Sequence, residues 1–201
     1  MGCPVTEEEL KKLTEVISNS SAEIIIIGGS TPKGLGSDTV RKLVSVLKLK
    51  GKTVITDISG QPLKEAVEAR PYLIKPNREE FAQLLGFVPS EEKYIDEAIN
   101  FYNRTGIEII LTLGKKGAVY SGRAGNYRII NPEVKAKGFS GAGDTFLASY
   151  VYAVTNDMDI RKALCFASAA SLSKVELEGT NLPDKKTVED NMNRVEIIDI
   201  N

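Results

Sequence analysis

The residues best suited to chemistry are a carboxylate and the small residues before it, Gly141-Ala142-Gly143-Asp144, which open an apolar helical segment. Two glycines at a helix start cost about 1 kcal/mol each relative to alanine, so they predict a backbone that approaches a ligand or takes a positive φ. Free amides at a helix N-terminus bind phosphate. Asp144 could then act as a general base, while the amides of Gly141, Ala142 and Gly143 stabilise charge on a transferring phosphoryl group. The structural alternative is that Asp144 only complements the helix dipole.

Three further loops with suitable side chains follow apolar strands. They are the glycine loop after Ile27, Lys75-Pro76-Asn77 after Ile74, and the loop from Thr112 to Gly117. Because ligands of open parallel α/β sheets bind outside the carboxyl ends of the strands, these loops and the glycine loop at Gly141 are expected to converge on one nucleotide cleft.

The loop from Thr112 to Gly117 contains the features of a nucleotide contact. The Thr112 hydroxyl can bond a phosphate oxygen, and Gly114 and Gly117 allow the backbone to approach closely. Lys115 adds a positive charge. The alternative is an ordinary tight turn between two strands. No Gly-x-x-x-x-Gly-Lys-Ser/Thr loop is present, so a P-loop ATPase is not supported.

Asn77 and Glu80 form a local motif at a predicted helix start. Asn-x-x-Glu is a capping box with Asn at the N-cap and Glu at the third helical position, and capping alone would explain both residues.

The amino-acid composition excludes several partners and catalytic mechanisms. The chain of 201 residues has 26 Lys and Arg against 27 Asp and Glu, which gives no electrostatic case for nucleic acid or an anionic membrane. It contains no histidine, so Ser-His, Cys-His and His-metal mechanisms are excluded. The two cysteines form no metal-ligand pattern, and no apolar run is long enough to span a membrane. One domain over residues 1–201 in the cytoplasm is expected.

Hydrophobic periodicity predicts alternating strands and helices. The predicted helices are Thr6–Ile17, Asp38–Leu49, Pro62–Arg70, Asn77–Leu85, Glu91–Asn103, Gly143–Thr155 and Asp159–Val175. The predicted strands are Glu23–Ile27, Thr53–Asp57, Tyr72–Ile74 and Ile107–Leu113, followed by a meander of Ala118–Tyr120, Tyr127–Ile130 and Glu133–Ala136. The alternation predicts βαβ units and an α/β fold with a mostly parallel sheet.

Three motifs in this order resemble the ribokinase-like sugar kinases, and most of all their phosphofructokinase B family. They are Lys75-Pro76-Asn77-Arg78-Glu79-Glu80, Thr112 to Gly117, and Gly141 to Asp144. Gly28 to Pro32 and Gly179 to Pro183 match further family segments. The resemblance implies a three-layer ribokinase-like fold. Because family members carry further residues before this chain begins, it also implies an N-terminally truncated, C-terminal nucleotide-binding portion without the lid and most sugar-binding side chains.

The resemblance also implies a function and its residues. The expected reaction is ATP-dependent phosphoryl transfer, with Mg²⁺, to a hydroxyl of a sugar or sugar phosphate of the tagatose-6-phosphate or fructose-1-phosphate type, although the isolated chain is expected to be weak or inactive. Lys75 is implied to face phosphate, although a lysine at a strand end is also explained as a solvated surface residue. Ser168 falls where relatives contact adenine, although packing of a buried helix also explains it. Asn77 is also implied to contact the nucleotide, and the Asn77 and Glu80 pair to lie near the accompanying Mg²⁺, generally through water, a role that can hold together with capping. Ser30 and Lys33 are the candidates for the sugar side, although a loop lysine is also explained as solvated.

Alternative functions remain. The chain could be a nucleotide-binding module without turnover, a structural fragment that binds nothing, or a vitamin kinase of the same fold. If neighbouring strands are absent, the all-apolar strand Glu23–Ile27 is an exposed edge, which predicts self-association or a homodimer.

Overall fold

The computed structural model describes residues 3–32, 34–36 and 38–200. Its backbone divides into two compact units, residues 1–111 and 112–201. The expectation of one domain over the whole chain stays a prediction. Lys33, predicted near the substrate, lies outside the described residues.

Unit 1 is built from parallel strands alternating with helices, as the sequence predicts. Its elements are α1 (Glu7–Asn19), β1 (Ile24–Gly28), α2 (Thr39–Leu49), β2 (Thr53–Asp57), α3 (Gly60–Glu68), β3 (Leu73–Ile74), α4 (Arg78–Leu85), a 3₁₀ turn (Glu91–Lys93), α5 (Tyr94–Thr105) and β4 (Glu108–Thr112). Neighbouring strands pair in parallel from β1 to β4. Buried side chains such as Val44, Leu47, Ile55, Leu73 and Ile109 form the core.

Local sequence signals explain where several of these helices begin. The Thr6 hydroxyl accepts a hydrogen bond from the Glu9 amide at 3.2 Å, and the Glu9 carboxylate accepts one from the Thr6 amide at 2.8 Å. This capping box, predicted from the sequence, starts α1. Helices α4 and α5 both end at a left-handed glycine, Gly86 and Gly106, which closes the last turn without a Cβ clash.

Strand β1 differs from the buried strand that its apolar run predicts. None of its five residues is fully buried, and Ile26 is 43% exposed. The reason is position, because β1 lies first in the strand order, with β2 as its neighbour. The expected apolar edge is therefore present in unit 1.

Unit 2 combines antiparallel strands with helices. Its elements are a 3₁₀ turn (Gly114–Lys116), β5 (Ala118–Gly122), β6 (Gly125–Ile130), α6 (Ala142–Thr155), α7 (Ile160–Val175), α8 (Lys185–Asn191), a second 3₁₀ turn (Met192–Arg194) and β7 (Glu196–Asp199). Strands β5 and β6 form a hairpin with Ala118 opposite Ile129. Helices α6 and α7 pack against each other, and Tyr120, Ile129, Tyr150 and Leu164 are buried.

The prediction of a third meander strand is wrong. Residues 133–136 are not a strand, and the strand beside β6 is β7, which pairs antiparallel with Ile129 opposite Ile197. The run Glu133–Ala136 alternates in polarity like a strand but leads into the glycine loop instead. The partner of β6 comes from beyond three helices, so no local pattern indicates it.

The strands follow sequence order, β1 to β7, in a seven-stranded, mostly parallel sheet. The fold is therefore the three-layer α/β class that the sequence predicts. Among the helices of the described residues, none has the length and hydropathy needed to cross a membrane.

Candidate active site

The N-terminus of α6 has the geometry of an anion site. Gly141 is the N-cap residue with φ of +77°, and its carbonyl accepts the Thr145 amide at 2.9 Å. The Ala142 amide donates to the Phe139 carbonyl at a long 3.3 Å. Among the described residues, none accepts a hydrogen bond from the amide of Gly143 or Asp144. The turn therefore presents donors to a ligand, aligned with the positive end of the helix dipole.

Asp144 lies in the first turn of α6, directly after these amides. Its side chain is exposed, and it forms no ion pair with any described residue. A carboxylate free of internal partners is available to accept a proton from a bound alcohol. The same position also complements the helix dipole, and the role of Asp144 as general base stays a prediction.

The loop from Thr112 to Gly117 is a short 3₁₀ turn between β4 and β5. Its ends are joined by the Leu113 amide, which donates to the Gly117 carbonyl at 2.8 Å. Gly114 and Lys115 are exposed. Gly117 is buried with φ of +83°, and a Cβ placed on it would overlap the Ile129 carbonyl oxygen. The fold itself therefore requires Gly117, and contact between the loop and a nucleotide stays a prediction.

Arg128, on β6, donates hydrogen bonds to the end of this loop, a contact that the sequence did not indicate. Its guanidinium donates to the Lys116 carbonyl and, at 2.8 Å, to the Ala118 carbonyl. Burial lowers the pKa of Arg128. An arginine held against backbone carbonyls stiffens the turn.

Ser168 is buried in α7. Its hydroxyl donates to the Asn131 side-chain oxygen at 2.7 Å. A direct nucleotide contact, in which this hydroxyl oxygen would accept a hydrogen bond, stays a prediction.

In unit 1, Lys75 lies directly after β3 and is only 6% exposed. Its Nζ lies 2.9 Å from Oδ1 of Asp57, which ends β2. The interpretation of Lys75 as a solvated surface lysine is therefore wrong. Sequence reasoning also missed Asp57, for which the signal was an acidic residue ending an apolar strand.

Asn77 and Glu80 form the predicted capping box at the start of α4. The Asn77 side chain accepts the Glu80 amide, and the Glu80 carboxylate accepts the Asn77 amide, both at 2.9 Å. The described residues contain no cluster of three or more His, Cys, Asp or Glu side chains that could hold a metal. One carboxylate and one amide oxygen still fit a largely hydrated Mg²⁺, since each retains lone pairs beyond its capping bond. Ser30 is exposed in the loop after β1.

Comparison with known proteins places this geometry in a family. The model of the pfkB family of carbohydrate kinases matches residues 5–187. The chain is 26% identical over 164 residues to 1-phosphofructokinase of Bacillus subtilis, covering 81% of this chain, and 27% identical over 199 residues to 1-phosphofructokinase of Borreliella burgdorferi, covering 98%. It spans 54% and 64% of the lengths of these two relatives.

The crystal structure of phosphofructokinase-2 from Escherichia coli in complex with potassium has the same fold. It matches with a TM-score of 0.88 at 23% identity, covering 94% of this chain and 63% of that one. A tetrameric inhibited form of that enzyme matches with a TM-score of 0.86 at 22% identity, covering 94% and 62%. The fold and the ordered motifs are those of a sugar-kinase class. The chain belongs to the pfkB family of carbohydrate kinases.

Proposed function

We propose that this chain carries the nucleotide-binding and phosphoryl-transfer residues of an ATP-dependent sugar or sugar-phosphate kinase, with weak or no turnover by the isolated chain. The observation that carries the proposal is the α6 N-terminus, where the left-handed Gly141 and the unpaired amides of Gly143 and Asp144 precede an exposed carboxylate. The substrate class proposed is a phosphorylated ketose. Fructose 1-phosphate is proposed because the two relatives described above are 1-phosphofructokinases, and tagatose 6-phosphate because of the motif resemblance.

Asp144 acts as the general base in this proposal. Its carboxylate accepts the proton of the sugar hydroxyl as that oxygen attacks the γ-phosphorus of ATP, and the bond from the γ-phosphorus to the β,γ-bridging oxygen breaks to release ADP. The amides of the Gly141–Gly143 turn stabilise the charge that develops on the transferred group. Most of the rate enhancement then comes from positioning and electrostatics rather than covalent catalysis.

The remaining predicted residues bind the nucleotide and its metal. Thr112, Gly114, Lys115 and Gly117 are proposed to contact the nucleotide in unit 2, and Lys75 to face phosphate in unit 1. Asn77 and Glu80 are proposed to hold Mg²⁺ through water, and the ion when bound neutralises phosphate charge. Ser30 and Lys33 stay candidates for the sugar side. A reducing compartment, the cytoplasm, is proposed because Cys3 and Cys165 are both free thiols.

The test combines binding with turnover. We expect Mg²⁺-dependent binding of AMP-PNP by calorimetry, retained in Asp144→Asn. Turnover with fructose 1-phosphate or tagatose 6-phosphate, expected to be weak in the isolated chain, should fall about a hundredfold or more in that variant, because the base is lost. Asp190→Asn, which changes another exposed carboxylate of unit 2, should alter neither quantity.

Three outcomes separate the alternatives. Turnover undiminished in Asp144→Asn would refute the assigned base. Nucleotide binding without turnover on either ketose phosphate would favour a nucleotide-binding module. A folded chain that binds no AMP-PNP would mean that the motifs serve as scaffold.

A further inference from the structure

Lys174 is a buried charged side chain that the proposed mechanism does not use. It lies in the last turn of α7 and is 2% exposed. Its Nζ donates to the Gly179 carbonyl at 2.7 Å. Among the described residues, no carboxylate forms an ion pair with it. Because burial of an ammonium group against a neutral acceptor costs free energy, its position requires a compensating role.

The stem of Lys174 lies against the turn that begins α6. A Cβ placed on Gly141 would be 3.6 Å from the Cε of Lys174, and Nζ is one bond beyond that atom. The lysine therefore lies next to the left-handed residue at the start of the amide run.

The neighbouring residue of α7 holds the segment leading into that turn. The Val175 carbonyl accepts the amide of Lys137 at 2.7 Å and that of Gly138 at 3.3 Å. The last turn of α7 thus hydrogen-bonds to the chain on the approach to Gly141 and, through the lysine, to Gly179, and the lysine stem borders the open side of Gly141.

We propose that Lys174 is a positioning residue for the anion-binding turn of α6. Its stem supports the left-handed Gly141, its ammonium ties the turn to the Gly179 loop, and its charge raises the affinity of the adjacent amides for phosphate. The last part rests on the proposed nucleotide binding, and the first two do not.

The positioning role is tested by hydrogen exchange of the unliganded chain. Lys174→Ala removes the stem, so amides of residues 137–144 and 176–181 should exchange faster, by about fivefold or more, while the rest of unit 2 is unchanged. Lys174→Met keeps most of the stem and should accelerate chiefly 176–181. Lys162→Ala, at an exposed position of the same helix, is the matched control.

Unchanged exchange at 137–144 in a folded Lys174→Ala protein would overturn the proposal. If Lys174→Ala does not fold, Lys174→Met tests the proposal instead. Amides of 176–181 that exchange as slowly in this variant as in wild type would show that the ammonium group does not hold the Gly179 loop, and the proposal would be overturned.

The electrostatic role is tested with AMP-PNP. Lys174→Met should weaken binding about tenfold, as expected for loss of one nearby charge. Propylammonium should restore binding to Lys174→Ala, and propanol, which fills the same space without charge, should not. Equal effects of the two additives would reject the role of the charge. If wild-type chain binds no AMP-PNP, the proposed function fails, while hydrogen exchange still decides the positioning role.

Discussion

Gly117, directly before β5, lies so close to Ile129 of β6 that a side chain has no room. A Cβ there would overlap the Ile129 carbonyl oxygen and lie 2.9 Å from its carbon, at a φ of +83°. Gly114, three residues earlier, has φ of +62° but open space around the Cβ position. The two glycines of one loop are therefore needed for different reasons.

Alanine substitutions separate these reasons. Gly117→Ala should lower the free energy of unfolding by about 3 kcal/mol or more, because the β5–β6 backbone must shift. Gly114→Ala, the matched control, should cost about 1 kcal/mol for its backbone conformation alone. Urea unfolding monitored by circular dichroism measures both. Equal losses would show that packing against Ile129 does not determine the requirement for glycine.

Burial of individual charges was the hardest property to predict from the sequence. Lys75 precedes a proline at a strand end, where a lysine is ordinarily solvated. Its pairing with Asp57 depends on the register of β2 and β3, in which Thr56 lies opposite Ile74 and the next residue of each strand meets its counterpart. Lys174 was missed for a related reason, since its acceptor lies in a loop beyond the end of α7.

Helix α8 begins with a carboxylate cap whose strength depends on pH. Asp184 accepts the Thr187 amide at 2.8 Å, and this bond, the largest cause, lowers the Asp184 pKa below its ordinary 3.8. A pKa lowered in the folded state means that the stabilisation is present above the unfolded pKa and is lost as pH falls through the folded one.

Asp184→Asn should isolate this effect, because asparagine caps a helix but does not titrate. We expect wild type to be the more stable protein near neutral pH. The difference in urea midpoint should begin to close as the pH approaches the ordinary pKa of 3.8 and should close further as the pH falls through the lower folded pKa. The urea midpoint of Asp190→Asn, a substitution within the same helix, should follow that of wild type across this pH range. A difference in urea midpoint that widens on acidification would contradict the assigned direction of the Asp184 pKa shift.

Two helices with capping boxes were predicted, whereas α8, which Asp184 caps, and strand β7, which a distant partner defines, were missed. Thr6 with Glu9, and Asn77 with Glu80, mark the starts of α1 and α4 within four residues of sequence. Strand β7 has only four residues, and its pairing with β6 is what makes it a strand. A run this short carries too little periodicity to be distinguished from a loop.

The exposed edge of the sheet in unit 1 should determine how copies of the molecule behave at high concentration. Ile26 is exposed on β1, and Leu13 and Val16 are exposed on α1, which buries no residue. An apolar strand edge of this kind promotes pairing with another chain.

Ile26→Lys should therefore shift sedimentation toward monomer, because a charge on an edge strand opposes pairing. Leu182→Lys places the same charge at an exposed leucine of unit 2 and should leave self-association unchanged. Wild type that sediments as a monomer at high concentration would count against association through β1.

The pairing of β7 with β6 has a consequence for synthesis on the ribosome. The sequence of β6 is translated before α6, α7 and α8, and the strand that covers its free side comes only after all three. Until Glu196–Asp199 emerges, the nascent hairpin of β5 and β6 presents an open edge to other nascent chains and to chaperones. The four parallel strands of unit 1 precede this interval in the order of translation, so the two units are exposed to misassembly for different lengths of time.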